Sequence, residues 1–163
     1  MLVAICLVLP REVFSQSEPS GRACNNSDVA GAWSLVRIKP LIPTQEGDPD
    51  FMPHQVWVFT TNGKFAKMSK ATTITEPEYT PFVNMAESRP ELFGTTYRVK
   101  EDRALVVLQP EGAIQPYYFS CFVLTSDYVD SEKQLDMRKD DMLLDLHAED
   151  GRTLIGHLFR KLR

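Results

Sequence analysis

The chain has 163 residues, of which 43% are hydrophobic and 25% charged, and its formal charge is −4 at pH 7. This composition is typical of a single globular domain and excludes an intrinsically disordered chain. The acidic balance also argues against nucleic acid as a partner, because proteins that bind nucleic acid carry concentrated basic surface.

The N-terminus is typical of an export leader. Residues 2–9, LVAICLVL, form an apolar run that fits the core of a signal peptide and is too short to span a bilayer. We interpret residues 1–15 as a signal peptide and residues 16–27 as a flexible polar arm. The alternative is that the apolar run is a strand buried in the fold. The leader predicts a secreted or periplasmic protein with no stable membrane span.

Two cysteines, Cys24 and Cys121, remain once the predicted leader is removed. In an exported protein this even number predicts one disulfide. A bridge across so long a loop contributes roughly 4 kcal/mol in the chain-entropy model. The alternative is two unpaired thiols, with Cys121 a small core residue.

Short strand patterns follow one another from residue 28 onward. The hairpin signal is strongest at Asn62-Gly63, between the apolar segments 56–59 and 64–68, because both residues tolerate a positive φ. Further strands are predicted over 94–99, 104–108, 117–125, 135–138, 142–148 and 153–162. Eight or nine strands in sequence order favour an all-β domain over residues 28–163. An up-and-down antiparallel barrel of about eight strands fits best, and a meander sandwich is the alternative.

One insertion, residues 76–93, interrupts the series of strands. Within it, residues 82–88 are predicted to form two helical turns before Arg89-Pro90 ends them. Phe82 and Met85 would share one face of that helix. Long insertions in compact domains often have a function, so we predict that this face caps the open end of the barrel. The alternative is packing against the outer wall.

Several segments, taken in order, resemble bacterial lipocalin-like domains, and the match runs from residue 29 to residue 161. They are GAWSLV at 31–36, FTTNGKF at 59–65, FGTTYRV at 93–99, DRALVVL at 102–108 and DDMLLDLHAEDGRTLIGHLFRK at 140–161. The resemblance implies that Gly31 lets the chain enter the barrel and that Trp33 closes one end. It also implies a cation–π contact between Trp33 and a basic residue of the last strand, for which we choose Arg160, with Lys161 as the alternative.

The aromatic residues on the predicted strands indicate an interior suited to a small, mostly apolar ligand. Alternation turns about half of them inward, and inward tyrosines add polar hydroxyls to an apolar wall. The predicted ligand-binding residues, on the strands and in the cap, are Trp57, Phe59, Tyr97, Tyr117, Phe119, His157, Phe82 and Met85. An interior filled with side chains is the alternative.

His157 is the most informative titratable residue. If Asp150-Gly151 form a two-residue turn, His157 pairs with Leu144 and faces the interior, while His147 faces outward. An inward histidine is either a hydrogen-bonded core residue or a polar contact to a ligand. We expect no cofactor and no metal, because histidines and carboxylates are not spaced as metal ligands are. The aspartates between residues 127 and 145 fall largely in turns, where they are expected to be solvated.

These patterns predict a secreted, monomeric binding protein that holds a small apolar molecule inside a barrel. No catalytic or nucleotide-binding motif is present in the sequence. Two alternatives stay open. One is an enzyme of the isomerase, cyclase or hydratase type on the same scaffold, with His157 and an inward tyrosine as its candidate pair. The other is a protein-binding module with a filled barrel.

Overall fold

A computed structural model describes residues 19–45, 47–130 and 134–162. The predicted signal peptide lies outside the described residues. The strands are, in chain order, β1 (Gly21–Ala23), β2 (Gly31–Pro40), β3 (His54–Phe59), β4 (Lys64–Lys70), β5 (Thr95–Lys100), β6 (Leu105–Pro110), β7 (Tyr117–Leu124), β8 (Tyr128–Asp130), β9 (Leu135–Met137), β10 (Met142–His147) and β11 (Thr153–Lys161). The helices are α1 (Asn26–Val29) and α2 (Glu76–Ser88), and 3₁₀ turns occur at Pro49–Phe51, Pro90–Leu92 and Glu101–Arg103.

Eight strands close into an antiparallel barrel. From β2 to β7 each strand pairs with the next, β10 and β11 continue the series, and β11 returns to pair with β2. This confirms the predicted all-β, up-and-down barrel. The short β8–β9 hairpin stands outside it, between β7 and β10.

Two predicted turns determine how neighbouring strands align. Gly63, with φ of +83°, ends the four-residue turn that joins β3 to β4, and Phe59 pairs with Phe65 across it. Gly151, also with φ of +83°, lies in the turn that joins β10 to β11. Glycine adopts this left-handed conformation without a steric penalty.

The main core lies inside the barrel and is built from residues of alternating strand positions. It is filled by Cys24, Val29, Trp33, Leu35, Trp57, Phe59, Phe65, Val106, Leu108, Phe119, Cys121, Val123, Met142, Leu144 and Phe159. Because the interior of an eight-stranded barrel is narrow, large side chains fill much of it. A cavity remains at one end of the barrel.

Residues 21–29 pack against the barrel. Strand β1 pairs with the end of β7, so the prediction of a flexible arm is wrong for this part of the segment. The small, polar residues of this segment do not predict a strand. The strand forms because β1 pairs with β7. Cys24 follows β1 and forms a disulfide with Cys121 of β7, 97 positions away, which confirms the predicted bridge.

Helix α2 packs on the outside of the barrel. Thr75 and Glu78 form a capping box at its N-terminus, and Pro77 occupies the first turn, where a missing N–H costs nothing. Its apolar residues meet the outward-facing Val56, Val58 and Ala66 of β3 and β4. The same cluster contains Ala32, Met68, Ile74, Tyr79, Phe82, Val83, Ala86, Phe93 and Leu162. The prediction of a lid over the barrel mouth is therefore wrong, and the outer-wall alternative is correct.

Neither helix of the described chain combines the length and the apolar character needed to cross a lipid bilayer.

Candidate ligand cavity

A cavity of about 400 Å³ opens at the end of the barrel opposite Trp33. Its wall comes from residues of β3, β4, β6, β7, β10 and β11, together with Asp50 before β3 and the residues around the start of β5. Most lining residues are apolar. The complete lining is Asp50, Trp57, Phe65, Ala66, Lys67, Leu92, Phe93, Gly94, Thr95, Leu108, Pro110, Tyr117, Phe119, Leu146, Ile155 and His157.

Four of the predicted ligand-binding residues meet in this wall: Trp57, Tyr117, Phe119 and His157. Phe59 and Tyr97 do not line it. Phe59 is fully buried deeper in the barrel, where its ring lies 5.1 Å from that of Tyr97. The Tyr97 hydroxyl donates to the carbonyl of Thr60 at 2.9 Å, so this group already has a partner.

Phe82 and Met85, also predicted as ligand contacts, do not line the cavity. Phe82 packs edge-to-face against Phe93 in the cluster beneath α2, with ring centroids 6.1 Å apart. Met85 is 40% exposed on the outer surface. The insertion reaches the cavity only through the residues after its helix, Leu92 to Gly94.

Several cavity residues were missed in the sequence although a signal for them was present. Phe65 and Lys67 follow the inward alternation of β4, and Lys67 pairs across the sheet with Trp57. Leu146 pairs with Ile155, next to the pair of Leu144 with His157. Extending the inward period of two along each strand would have found all of them.

The mouth of the cavity carries one ion pair. The ammonium group of Lys67 bonds to the carboxylate of Asp50, which lies in the 3₁₀ turn before β3. The Asp50 side chain is exposed, so the pair is screened by solvent and contributes little to stability. The position of the ion pair is more important than its energy, because the pair places a cation and an anion at the entrance to an apolar cavity.

His157 lies in the cavity wall and is 3% exposed. It pairs with Leu144, as the assumed turn at Asp150-Gly151 requires, and its Nδ1 lies 3.0 Å from the carbonyl oxygen of Leu144. Burial, the largest cause, lowers the pKa of His157 to about 4. The imidazole is therefore neutral near pH 7. Tyr117 lines the same cavity, but among the described residues no hydrogen bond joins its hydroxyl to His157.

Trp57 forms the floor of the cavity. Its ring lies 5.2 Å from Phe65, 5.8 Å from Phe119 and 4.7 Å from Phe159. The indole N–H donates to Oε1 of the buried Gln55 at 2.7 Å. The N–H of this ring thus has its hydrogen-bond partner, and the ring contributes apolar surface to the cavity wall.

The opposite end of the barrel is closed by Trp33, which is 2% exposed. Its indole N–H donates to the carbonyl of Val29 at 2.8 Å, which ties the ring to α1. Gly31 has φ of +121°, and a Cβ there would lie 3.0 Å from Cε of Lys161. A larger residue at this position would be both strained and crowded.

Lys161, and not Arg160, covers Trp33. The Lys161 ammonium lies 5.1 Å from the centre of the indole ring, within the range of a cation–π contact. The choice of Arg160 was therefore wrong. Ile155, His157 and Phe159 face inward, and because every second residue of a strand lies on the same face, Lys161 continues this series and Arg160 does not.

Arg160 instead faces outward and binds Asp141. Its Nε and Nη2 donate to the two carboxylate oxygens at 2.9 and 2.7 Å, and the backbone N–H of Arg138 adds a third bond at 2.8 Å. Asp141 is therefore a buried, fully paired carboxylate, in contrast to the solvated turn residue expected from the sequence. The pair connects β11 to the start of β10.

Within the part of the chain that the structure describes, no group of three or more histidine, cysteine, aspartate or glutamate residues is arranged to hold a metal ion. The chain has no significant match among protein-family models, curated proteins or solved structures.

Proposed function

We propose that this protein binds a small, mostly apolar molecule in the cavity at the open end of its barrel. The observation that carries the proposal is the cavity itself. Its volume, about 400 Å³, falls within the range of small-molecule sites, and its wall combines aromatic and aliphatic side chains with a few polar groups.

The energetics favour an apolar occupant. Burying about 200 Å² of apolar ligand surface contributes on the order of 5 kcal/mol, before the cost of immobilising the ligand is subtracted. Trp57 and Phe119 offer rigid rings, which lose little conformational entropy when a ligand binds.

The resemblance to bacterial lipocalin-like domains supports the same function, since members of that group are expected to hold ligands inside a barrel. The disulfide supports export, because such bridges persist mainly in oxidising compartments. We therefore place the protein, as part of this proposal, outside the cytoplasm.

Binding of a panel of fluorescent apolar probes, combined with native mass spectrometry of the protein from its own host, tests the proposal. Leu146→Trp adds a ring within the cavity and is expected to weaken probe binding tenfold or more. Val129→Trp is the matched control, because Val129 is 70% exposed outside the barrel, and it should bind as the unmodified protein does.

The proposal fails if no probe binds and no ligand accompanies the purified protein. It also fails if Leu146→Trp, once shown to be folded by circular dichroism, binds every probe as tightly as Val129→Trp does.

A further inference from the structure

We propose that His157 determines specificity, and that its Nε2 accepts a hydrogen bond from a hydroxyl group of the bound molecule. The ligand class is then an apolar molecule that carries a hydroxyl inside the cavity, as opposed to a hydrocarbon or a carboxylate. The inference rests on the proposed function and makes it more specific.

The first step concerns the state of the imidazole ring. Its Nδ1 lies 3.0 Å from the carbonyl oxygen of Leu144, and a carbonyl oxygen only accepts hydrogen bonds. Nδ1 must therefore carry the hydrogen. In a neutral ring this leaves Nε2 without one, so that Nε2 acts only as an acceptor.

The neutral form is also favoured by the surroundings. Burial, the largest effect, lowers the pKa of His157, and the hydrogen bond to the Leu144 carbonyl raises it. Lys67 lowers it further, and Asp50 acts in the opposite direction. These two residues form the ion pair at the cavity mouth, so their effects on the ring largely oppose each other. The ring stays uncharged at pH 7.

Nε2 has no hydrogen-bond partner among the described residues. The one buried side-chain atom of these residues that lacks both a partner and solvent contact is Ser69 Oγ, so Nε2 keeps accessible surface. His157 lines the cavity. In the proposal, Nε2 is the polar atom that the ring presents to it. An acceptor aimed into an apolar site is costly when a bound molecule covers it without donating a hydrogen bond.

The rings around His157 offer no donor. Phe159 stacks on the imidazole at 5.8 Å, Phe119 lies at 6.1 Å, and the N–H of Trp57 is already donated to Gln55. These rings leave Nε2 without a donor, and in the proposal the ligand supplies it. A carboxylate is disfavoured, because it would direct its own lone pairs at the lone pair of Nε2.

Three probes of similar shape test the inference: 4-hexylphenol, 4-hexylanisole and 4-hexylbenzoate. The phenol carries the donor, the anisole lacks it, and the benzoate replaces it with a charge. Dissociation constants are measured at pH 7.5 by titration calorimetry on the unmodified protein and on His157→Phe. We expect the phenol to bind about threefold to tenfold more tightly than the anisole, the effect of one neutral hydrogen bond. In His157→Phe this ratio should fall to about one.

Equal binding of phenol and anisole to the unmodified protein overturns the inference, and this comparison does not depend on the folding of any variant. A preference for phenol that survives in His157→Phe overturns the role of this residue. Tightest binding of the benzoate, abolished by Lys67→Met, overturns it in favour of Lys67. If other apolar probes bind but the phenol does not, the inference fails and the proposed function stands. If nothing binds, both fail.

Discussion

At the scale of single residues, the protein buries few polar side chains and holds them by hydrogen bonds. His157, Gln55 and Asp141 are all buried, and the side chain of each takes part in at least one hydrogen bond. Buried polar groups are tolerated only when paired in this way. Two of them, His157 and Asp141, lead to the predictions that follow.

The depressed pKa of His157 makes stability depend on pH. Its pKa is about 4 in the folded protein and about 6.5 in the unfolded chain, so the unfolded state binds more protons between these values. The stabilisation is fully present above pH 6.5 and is lost as the pH falls towards 4. We expect the free energy of unfolding to decrease by about 3 kcal/mol over this window through His157 alone.

Urea unfolding of the unmodified protein and of His157→Phe, at half-unit steps of pH, measures this contribution. The variant retains the other titrating groups, so the difference between the two pH slopes belongs to His157. Parallel slopes between pH 6.5 and 4 would contradict the buried, neutral state of the ring.

We expect the two neighbouring basic residues of β11 to differ in how much they contribute to the stability of the protein. Arg160→Met leaves the buried carboxylate of Asp141 without its charged partner, which should cost about 3 kcal/mol of stability. Lys161→Met removes a cation–π contact at an exposed position and should cost about 0.5–1 kcal/mol.

Thermal and urea unfolding of the two variants compare these costs directly. Since both substitutions replace a basic side chain with Met at adjacent positions, each serves as the control for the other. Equal losses, or a larger loss for Lys161→Met, would contradict the greater importance of the Arg160–Asp141 pair.

At the scale of elements, α2 is a structural brace for the outer wall. Substituting Phe82 with Ser removes a ring from the cluster with Val56 and Val58, and should lower stability by about 2 kcal/mol. Met85→Ser, at a position on the same helix that is 40% exposed, is the matched control and should change stability by less than about 0.5 kcal/mol.

Both α2 variants should bind apolar probes as the unmodified protein does, because neither side chain reaches the cavity. Denaturant midpoints and probe titrations on the same samples separate the two roles. Loss of binding by Phe82→Ser without loss of stability would restore the idea of a lid.

The sequence predicted the elements that depend on local signals and missed those that depend on packing. Alternation and the Asn62-Gly63 turn were sufficient for the barrel strands, and they also placed His157 inside. The site of α2 was not predictable in this way, because residues 56–59 are apolar at every position and both faces of β3 are buried. The alternation of apolar and polar residues does not show which element of the chain packs on the outer face of β3.

At the scale of the whole molecule, the disulfide stabilises the closed end of the barrel. It links the residue after β1 to the middle of β7 and spans 97 positions. In the chain-entropy model such a bridge contributes roughly 4 kcal/mol by restricting the unfolded chain. The double variant Cys24→Ala and Cys121→Ala should lose about this amount.

Equilibrium unfolding in urea, with and without a thiol reductant, measures the loss. The reductant should destabilise the unmodified protein and leave the double variant unchanged. Probe binding to the folded variant should persist, since the bridge lies at the end away from the cavity. A reductant effect on the double variant, or none on the unmodified protein, would contradict this account.

The pairing of β4 with β5 has a consequence for the shape of what can be bound. These strands share only two register pairs, at Lys64 and Phe65, whereas β5 and β6 share six. Beyond Phe65 they diverge, and Ala66, Lys67 and residues 92–95 on either side of the split belong to the cavity wall. The hydrogen-bonded sheet is thus interrupted beside the cavity, where β4 and β5 part. We expect a ligand longer than the cavity to extend between these two strands, so that the cavity volume limits the width of the bound molecule and not its length.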